Sequence, residues 1–291
     1  MLNHGLLLIA AIIWGFGFVA TKLAFESFDP YWLNTLRFVV ASFFCIPMIY
    51  VYKSYSKPKK DLILALFAGA CLFFAMHTQT LGLNITSVAK SGFITSLYVF
   101  FVPMIAMIFF RKRFTAKFWF LVMLAVGGVS LLCELKIDNF NIGDFYTLLC
   151  ALLFAVHILI IERIAKKFSA FELNAIQIIF CAIIGLIISY KYVGIYEVNF
   201  TAAAIYSILF LAVFSSLIAF SIQNHCQKYI PSHIVGLFFL LESPFAAIFG
   251  FIILKEALEW TQILGCILIL TAVVGVNFSL KEVSKAETET V

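Results

Sequence analysis

The residues with the most chemical potential in this chain are single polar groups set inside long apolar runs. Glu242 stands near the middle of the run Ser232 to Leu254, in the order Leu-Leu-Glu-Ser-Pro-Phe. A carboxylate at mid-membrane depth costs roughly 2.5–3.5 kcal/mol on insertion scales, so it is expected to face a bundle interior, a partner helix or a water-filled cavity. Pro244 follows two residues later; it removes a backbone donor and predicts a kink beside the charge. His157, near the middle of the run Phe145 to Ile164, suits either proton carriage near neutral pH or a satisfied hydrogen bond between helices. Arg37 can clamp a carboxylate through its planar fork or anchor at the membrane interface. Lys90 can snorkel to that interface, or line a cavity and meet an anionic group or Glu242.

Other polar groups extend the set. His77 and Gln79 sit in one run, and Gln223, Asn224 and His225 end another. Residues 77 and 79 lie about 200° apart on a helix, so only one of them can face a given cavity. Trp14 and Tyr98, each near the middle of a run, can stack on a substrate, close a gate or serve packing. Gly15, Gly17, Pro103 and Pro244 are the positions expected to supply flexible or broken backbone.

None of this composes a catalytic centre. There is no His-Glu-x-x-His, no Gly-x-Ser-x-Gly and no pair of aspartates at matching depth. His157 and Glu162, five apart, point away from each other on a helix. The seven cysteines lie singly, with no Cys-x-x-Cys, and read as small hydrophobes. No ligand cluster supports a metal or an organic cofactor. An enzyme is not expected, and the absence of a signalling or docking domain argues against a sensor.

The elements that position these groups follow from composition. With 64% hydrophobic and 12% charged residues, the chain has too little polar surface for a soluble globule of its 291 residues and reads as an integral membrane protein. Its 34 phenylalanines are accounted for by lipid contact and packing between helices. Apolar runs long enough to cross the hydrocarbon core predict ten helices. They are Leu6 to Ala24, Trp32 to Tyr52, Leu62 to Leu81, Val88 to Phe110, Phe118 to Cys133, Phe145 to Ile164, Phe171 to Tyr190, Ala203 to Asn224, Ser232 to Leu254 and Trp260 to Phe278. The first is read as a retained helix, since it lacks a basic leader and a clear cleavage site. Most of the 20 basic residues fall in loops on one side, among them Lys57, Lys59, Lys60, Arg111, Lys112 and Arg113. The excess of positive charge places both termini in the cytoplasm, which ten crossings satisfy. The same distribution explains the net charge of +5 without a nucleic-acid partner.

Laid against itself, the chain repeats. A shift of 140 brings Trp14 onto Phe154, Asn34 onto Asn174 and Arg37 onto Gln177; a shift of 144 brings Gln79 onto Gln223, Tyr98 onto Glu242 and Phe101 onto Phe245. The expected organisation is a five-helix repeat over 1–138, a second over 139–280 and a polar cytoplasmic tail over 281–291. An odd number of helices per copy makes the two copies opposite in orientation, an architecture used by secondary transporters with a midplane site between the repeats.

The motifs carry a resemblance. Trp14 through Ala24, Leu36-Arg37-Phe38, Ala89 through Pro103, Leu241-Glu242-Ser243-Pro244-Phe245 and Leu254-Lys255-Glu256-Ala257-Leu258 together resemble the EamA-type branch of the drug/metabolite transporter superfamily, in order and over essentially the whole chain. The chain departs from the usual pattern with Arg111-Lys112-Arg113 in place of Gly-Glu-Arg and with Ser243 inserted in the Glu-Pro pair. The resemblance implies ten transmembrane helices in two inverted repeats, both termini cytoplasmic. It also implies movement of amino acids, other small metabolites or drugs, often outward, across the cell membrane. The expectation is therefore a secondary transporter working by alternating access, with helices one to four and six to nine around the cavity and protons coupled through Glu242. The rival is an uncoupled facilitator for the same substrates. Gly127-Gly128, Gly265 and Gly275 favour close helix packing and leave self-association open.

Overall fold

The fold is given by a computed structural model that describes residues 2–51, 57–86, 88–132, 140–195, 197–198, 200–253, 255 and 258–289. Among them there is no strand; they form helices joined by short turns. These are α1 (Leu2–Ala24), α2 (Pro30–Val51), α3 (Lys59–Ile85), α4 (Val88–Ser96), α5 (Tyr98–Phe110), α6 (Ala116–Leu132) and α7 (Ile142–Ile164). Then follow α8 (Ala170–Tyr192), α9 (Ala202–Phe210), a π-helical segment (Leu211–Ala219), α10 (Phe220–Cys226), α11 (Ser232–Phe239), α12 (Glu242–Ile253) and α13 (Trp260–Glu289).

Among the described residues, seven helical stretches are long and apolar enough to cross a membrane: α1, α3, Ser91–Phe110, Ile142–Lys167, α8, Ala202–Cys226 and Ser232–Ile253. Two shorter apolar helices, Ala116–Leu132 and Trp260–Val276, accompany them, and α2 adds 22 residues. The protein is a multi-pass membrane protein. The helix ends agree with their local sequence. Asn141 and Ser169 cap α7 and α8 through reciprocal bonds with Asp144 and Glu172, and the Thr201 hydroxyl caps α9. α13 continues through Glu289, so the stretch expected as a polar tail extends the last helix.

The bundle is built from long helix pairs: α3 along α7, α6 along α13, α2 along α8 and α1 along α12. Small residues set the closest of these. A Cβ on Gly15 would stand 2.6 Å from Phe245 Cβ and 2.9 Å from the Glu242 carbonyl oxygen, so α1 and α12 meet where a side chain has no room. Gly128 and Gly265 make the same kind of contact between α6 and α13. The largest core cluster joins Leu7, Val102, Val122, Leu237 and Phe239, while Phe43, Phe109, Phe120, Ile187 and Phe251 point outward. That outward apolar surface suits acyl chains.

Two expectations about the backbone are corrected. Gly15 and Gly17 do not break α1, which runs unbroken through both; Gly15 is kept small by α12 instead. The breaks fall at Leu97, between α4 and α5, and at Leu240 and Leu241, between α11 and α12. Each precedes the proline expected to cause it. Bonds reaching back three residues tighten the turns: Leu97 N–H to Ile94 O, Leu241 N–H to Phe238 O and Ser243 N–H to Leu240 O. Pro244 consequently occupies the first turn of α12, where a helix lacks donors to lose. Pro103 lies inside α5.

Candidate binding cavity

The two breaks are adjacent in space. Tyr98 is the first residue of α5 and Glu242 the first of α12. The Tyr98 hydroxyl donates to Glu242 Oε1 at 3.4 Å, and the Ser96 and Ser243 hydroxyls stand 3.5 Å apart. Both Tyr98 and Glu242 are buried. The N-terminus of α12 offers the positive end of a helix dipole to the Glu242 carboxylate, a favourable placement for a negative charge.

A cavity of about 80 Å³ opens beside this contact. Since one water needs roughly 10–15 Å³ on this scale, it has room for several. Glu242 and Tyr98 line it together with Arg37 from α2. Trp14, Gly17 and Thr21 of α1 contribute, as do Gln79 and Thr80 of α3. Phe154 of α7, Phe220 and Gln223 of α10 and Phe239 of α11 give it a mainly aromatic wall.

Arg37 is 3% exposed. Its Nε donates to Ser216 Oγ at 3.0 Å and its Nη2 to Ser215 Oγ at 2.9 Å. Burial therefore removes the interface-anchor reading of this residue: its guanidinium faces inward. Both serines belong to the π-helical segment, a rare geometry that recurs at functional sites. Trp14 Nε1 donates to the Ser215 carbonyl at 3.1 Å. Asn174 Nδ2, from α8, reaches the Ser216 and Leu217 carbonyls at 3.1 and 2.8 Å and the Ser221 hydroxyl at 3.0 Å.

Of the residues singled out from sequence, the structure brings Trp14, Gly17, Arg37, Tyr98, Gln223 and Glu242 to this cavity. His77 and His157 are elsewhere. His77 packs between Phe73, stacked at 5.3 Å, and Tyr31, edge-on at 4.7 Å. Its helical neighbour Gln79 is the one that faces the cavity, donating to Thr95 Oγ1 at 3.4 Å. His157 is fully buried with its Nε2 at 2.7 Å from Gln177 Oε1, so it is a hydrogen-bonded histidine between α7 and α8. The side chain of Lys90 lies outside the described residues. Of the eight surrounding helices expected, the seventh, α8, gives no lining residue; it supports the wall from behind through Asn174. Ser215, Ser216 and Asn174 are the functional neighbours that the polar residues picked from sequence left out. The signal available was the serine pair inside the apolar run Ala203 to Asn224.

Three comparisons bear on this arrangement. The sequence model of the EamA-like transporter family matches residues 2–133 and again residues 141–278. An uncharacterized transporter of Archaeoglobus fulgidus is 31% identical over 271 residues, 93% of this chain and 84% of its own length. YcxC, an uncharacterized transporter of Bacillus subtilis, is 27% identical over 95% of this chain and 94% of its own. An S-adenosylmethionine uptake transporter of Rickettsia bellii is 24% identical over 84% and 83% of the two chains. One solved crystal structure superposes with a TM-score of 0.78 at 14% identity, covering 97% of this chain and 98% of that one, and supports the fold.

Proposed function

Because this chain belongs to the EamA-like transporter family, we propose that it is a secondary transporter that moves a small organic metabolite across the cytoplasmic membrane by alternating access, with net flux outward. The protein is a transporter and not an enzyme; substrate, direction and mechanism are the proposal. In this reading the chain crosses the membrane ten times with both termini in the cytoplasm. Residues 1–138 and 139–280 form two five-helix repeats in opposite orientation, and the cavity lies between them near the midplane.

The observation that carries the reading is the pairing of the two helix breaks at Glu242. Discontinuous helices whose half-helix ends converge on a midplane cavity are how many transporters bind a substrate while leaving its neighbours free to rock. Tyr98 and Glu242, 144 residues apart, open equivalent half-helices and touch. A buried acid that meets only a phenol is placed to take up either a proton or a cationic group of the substrate.

The experiment is counterflow of labelled metabolites in liposomes containing the purified protein, with and without an imposed proton gradient. The panel includes amino acids and, because the Rickettsia relatives are named for its uptake, S-adenosylmethionine. Accumulation driven by the gradient and lost in Glu242→Gln is expected. Equilibration without accumulation would replace coupled transport by a facilitator, and no flux of any compound would count against carriage of these metabolites.

A further inference from the structure

Arg37 and Glu242 line the same cavity with opposite charge, yet they do not neutralise each other. No ion pair joins them, and neither has another charged partner among the described residues. The polar partners of Arg37 are the Ser215 and Ser216 hydroxyls, and that of Glu242 is the Tyr98 hydroxyl. A guanidinium has five N–H donors and a carboxylate about four lone-pair sites, so both keep unused capacity toward the cavity. A buried charge without a partner is expensive, so a ligand that engages only one of the two groups leaves the other without a charged partner. Trp14, Phe154, Phe220 and Phe239 line the same cavity and give it aromatic walls.

We propose that the cavity is built for a small zwitterion, with the anionic group of the ligand on Arg37 and Ser215 of the π-helical segment, its cationic group on Glu242, and an apolar or aromatic body against Trp14 and Phe154. This deepens the transporter reading and rests on it for the statement that the ligand is cargo. Arg37 supplies a planar fork that matches a carboxylate, a geometry a lysine would not give. Glu242 can accept from an ammonium group without losing the Tyr98 contact, because Tyr98 engages only one of its oxygens. A singly charged ligand of the same size would leave one buried pole unpaired, which is the physical source of the discrimination.

The test uses two trios matched in body and differing only in charged groups: L-phenylalanine, phenethylamine and phenylpropionate, then L-leucine, isopentylamine and 4-methylpentanoate. Apparent affinities come from ligand-dependent thermal stabilisation of the full chain in detergent. In at least one trio the zwitterion is expected to bind roughly tenfold or more tightly than either partner, the range that one charged hydrogen-bonding pole confers. Arg37→Gln should bring the amine level with the zwitterion, and Glu242→Gln should bring the acid level with it. A singly charged compound binding as well as its zwitterion to the unmodified protein in both trios, or no binding by any of the six, would overturn the assignment. The unmodified protein decides this even if a variant fails to fold. Flux of the same compounds in liposomes separates the two readings. Zwitterion binding without flux removes carriage and leaves the poles, whereas flux of amine and acid equal to that of the zwitterion removes the poles and leaves carriage.

Discussion

Two glycines a single residue apart in α1 have opposite surroundings, and this makes a controlled comparison. A methyl group on Gly15 would press on Phe245 Cβ and on the α12 backbone, while on Gly17 its nearest neighbours would be Ser215 Oγ at 3.7 Å and Leu211 Cδ2 at 3.8 Å, an ordinary contact. Both substitutions gain the same helix propensity, up to about 1 kcal/mol. Gly15→Ala should nonetheless lower the thermal midpoint in detergent, with overpacking costing roughly 1–3 kcal/mol. Gly17→Ala should leave the midpoint unchanged or raise it, while its methyl group narrows the cavity and raises KM for transport. Equal shifts in the two midpoints would mean that α12 yields at Gly15. At this scale the sequence was informative where cost is highest. Glu242, Arg37 and Trp14 stood out because charge or an indole donor inside an apolar run needs a partner. His77 and His157 stood out for the same reason, and their partners turned out to be packed rings and an amide. Depth in a run does not report the direction a side chain faces.

Among the elements, the π-helical segment has the most consequence for the site. It presents Ser215 and Ser216 to Arg37, and Asn174 holds two of its carbonyls from the far side. Removing Asn174 takes a donor from the buried Ser216 carbonyl, whereas the Leu217 carbonyl keeps the Ser221 hydroxyl at 2.6 Å. Asn174→Ala is expected to cost about 1–3 kcal/mol in thermal unfolding and to raise amide exchange over Leu211–Ala219. Asn174→Asp should cost more, because a carboxylate would face two carbonyl oxygens with nothing to donate. Should exchange in that segment stay unchanged in both variants, Asn174 is not what holds it. The apolar run containing this segment was legible from length alone, but its π geometry was not, since run length and hydrophobicity are the same for α and π turns. Proline was likewise a near miss. Pro103 and Pro244 marked the correct two spans, yet the chain turns at Leu97 and at Leu240 and Leu241, just ahead of them. Pro244 stands where a proline is tolerated most cheaply, in the first turn of the helix after a break, whereas Pro103 lies inside α5.

Across the whole molecule, residues 2–133 and 141–278 are fastened differently at the two ends of the bundle. At one end the described fastenings include three ion pairs: Lys112 with Glu162 at 2.7 Å, Lys57 with Glu172 at 3.8 Å, and Lys167 with Asp61. Glu162 also accepts from the Ser232 backbone at 3.1 Å, tying α7 to the start of α11. At the other end the described bonds come from neutral donors. The Thr35 and Ser189 hydroxyls meet at 2.7 Å, Trp32 Nε1 donates to the Gly194 carbonyl at 2.9 Å and the Thr86 hydroxyl to Asp144 at 2.7 Å. A double-mutant cycle of Lys112→Gln and Glu162→Gln should return a coupling of roughly 0.2–1 kcal/mol, the value for a partly exposed pair. A coupling of zero would show that the two groups hold each other in position without contributing to stability. Partly exposed ion pairs weaken as salt rises and screening shortens below about 8 Å, whereas hydrogen bonds between neutral groups, such as Thr35 with Ser189 and Trp32 with Gly194, change little. In the proposed outward cycle, which opens the two ends in turn, the surrounding electrolyte would therefore act more on one half-cycle than on the other, so that high salt hastens opening for loading on the ionic, cytoplasmic side and changes release on the far side less.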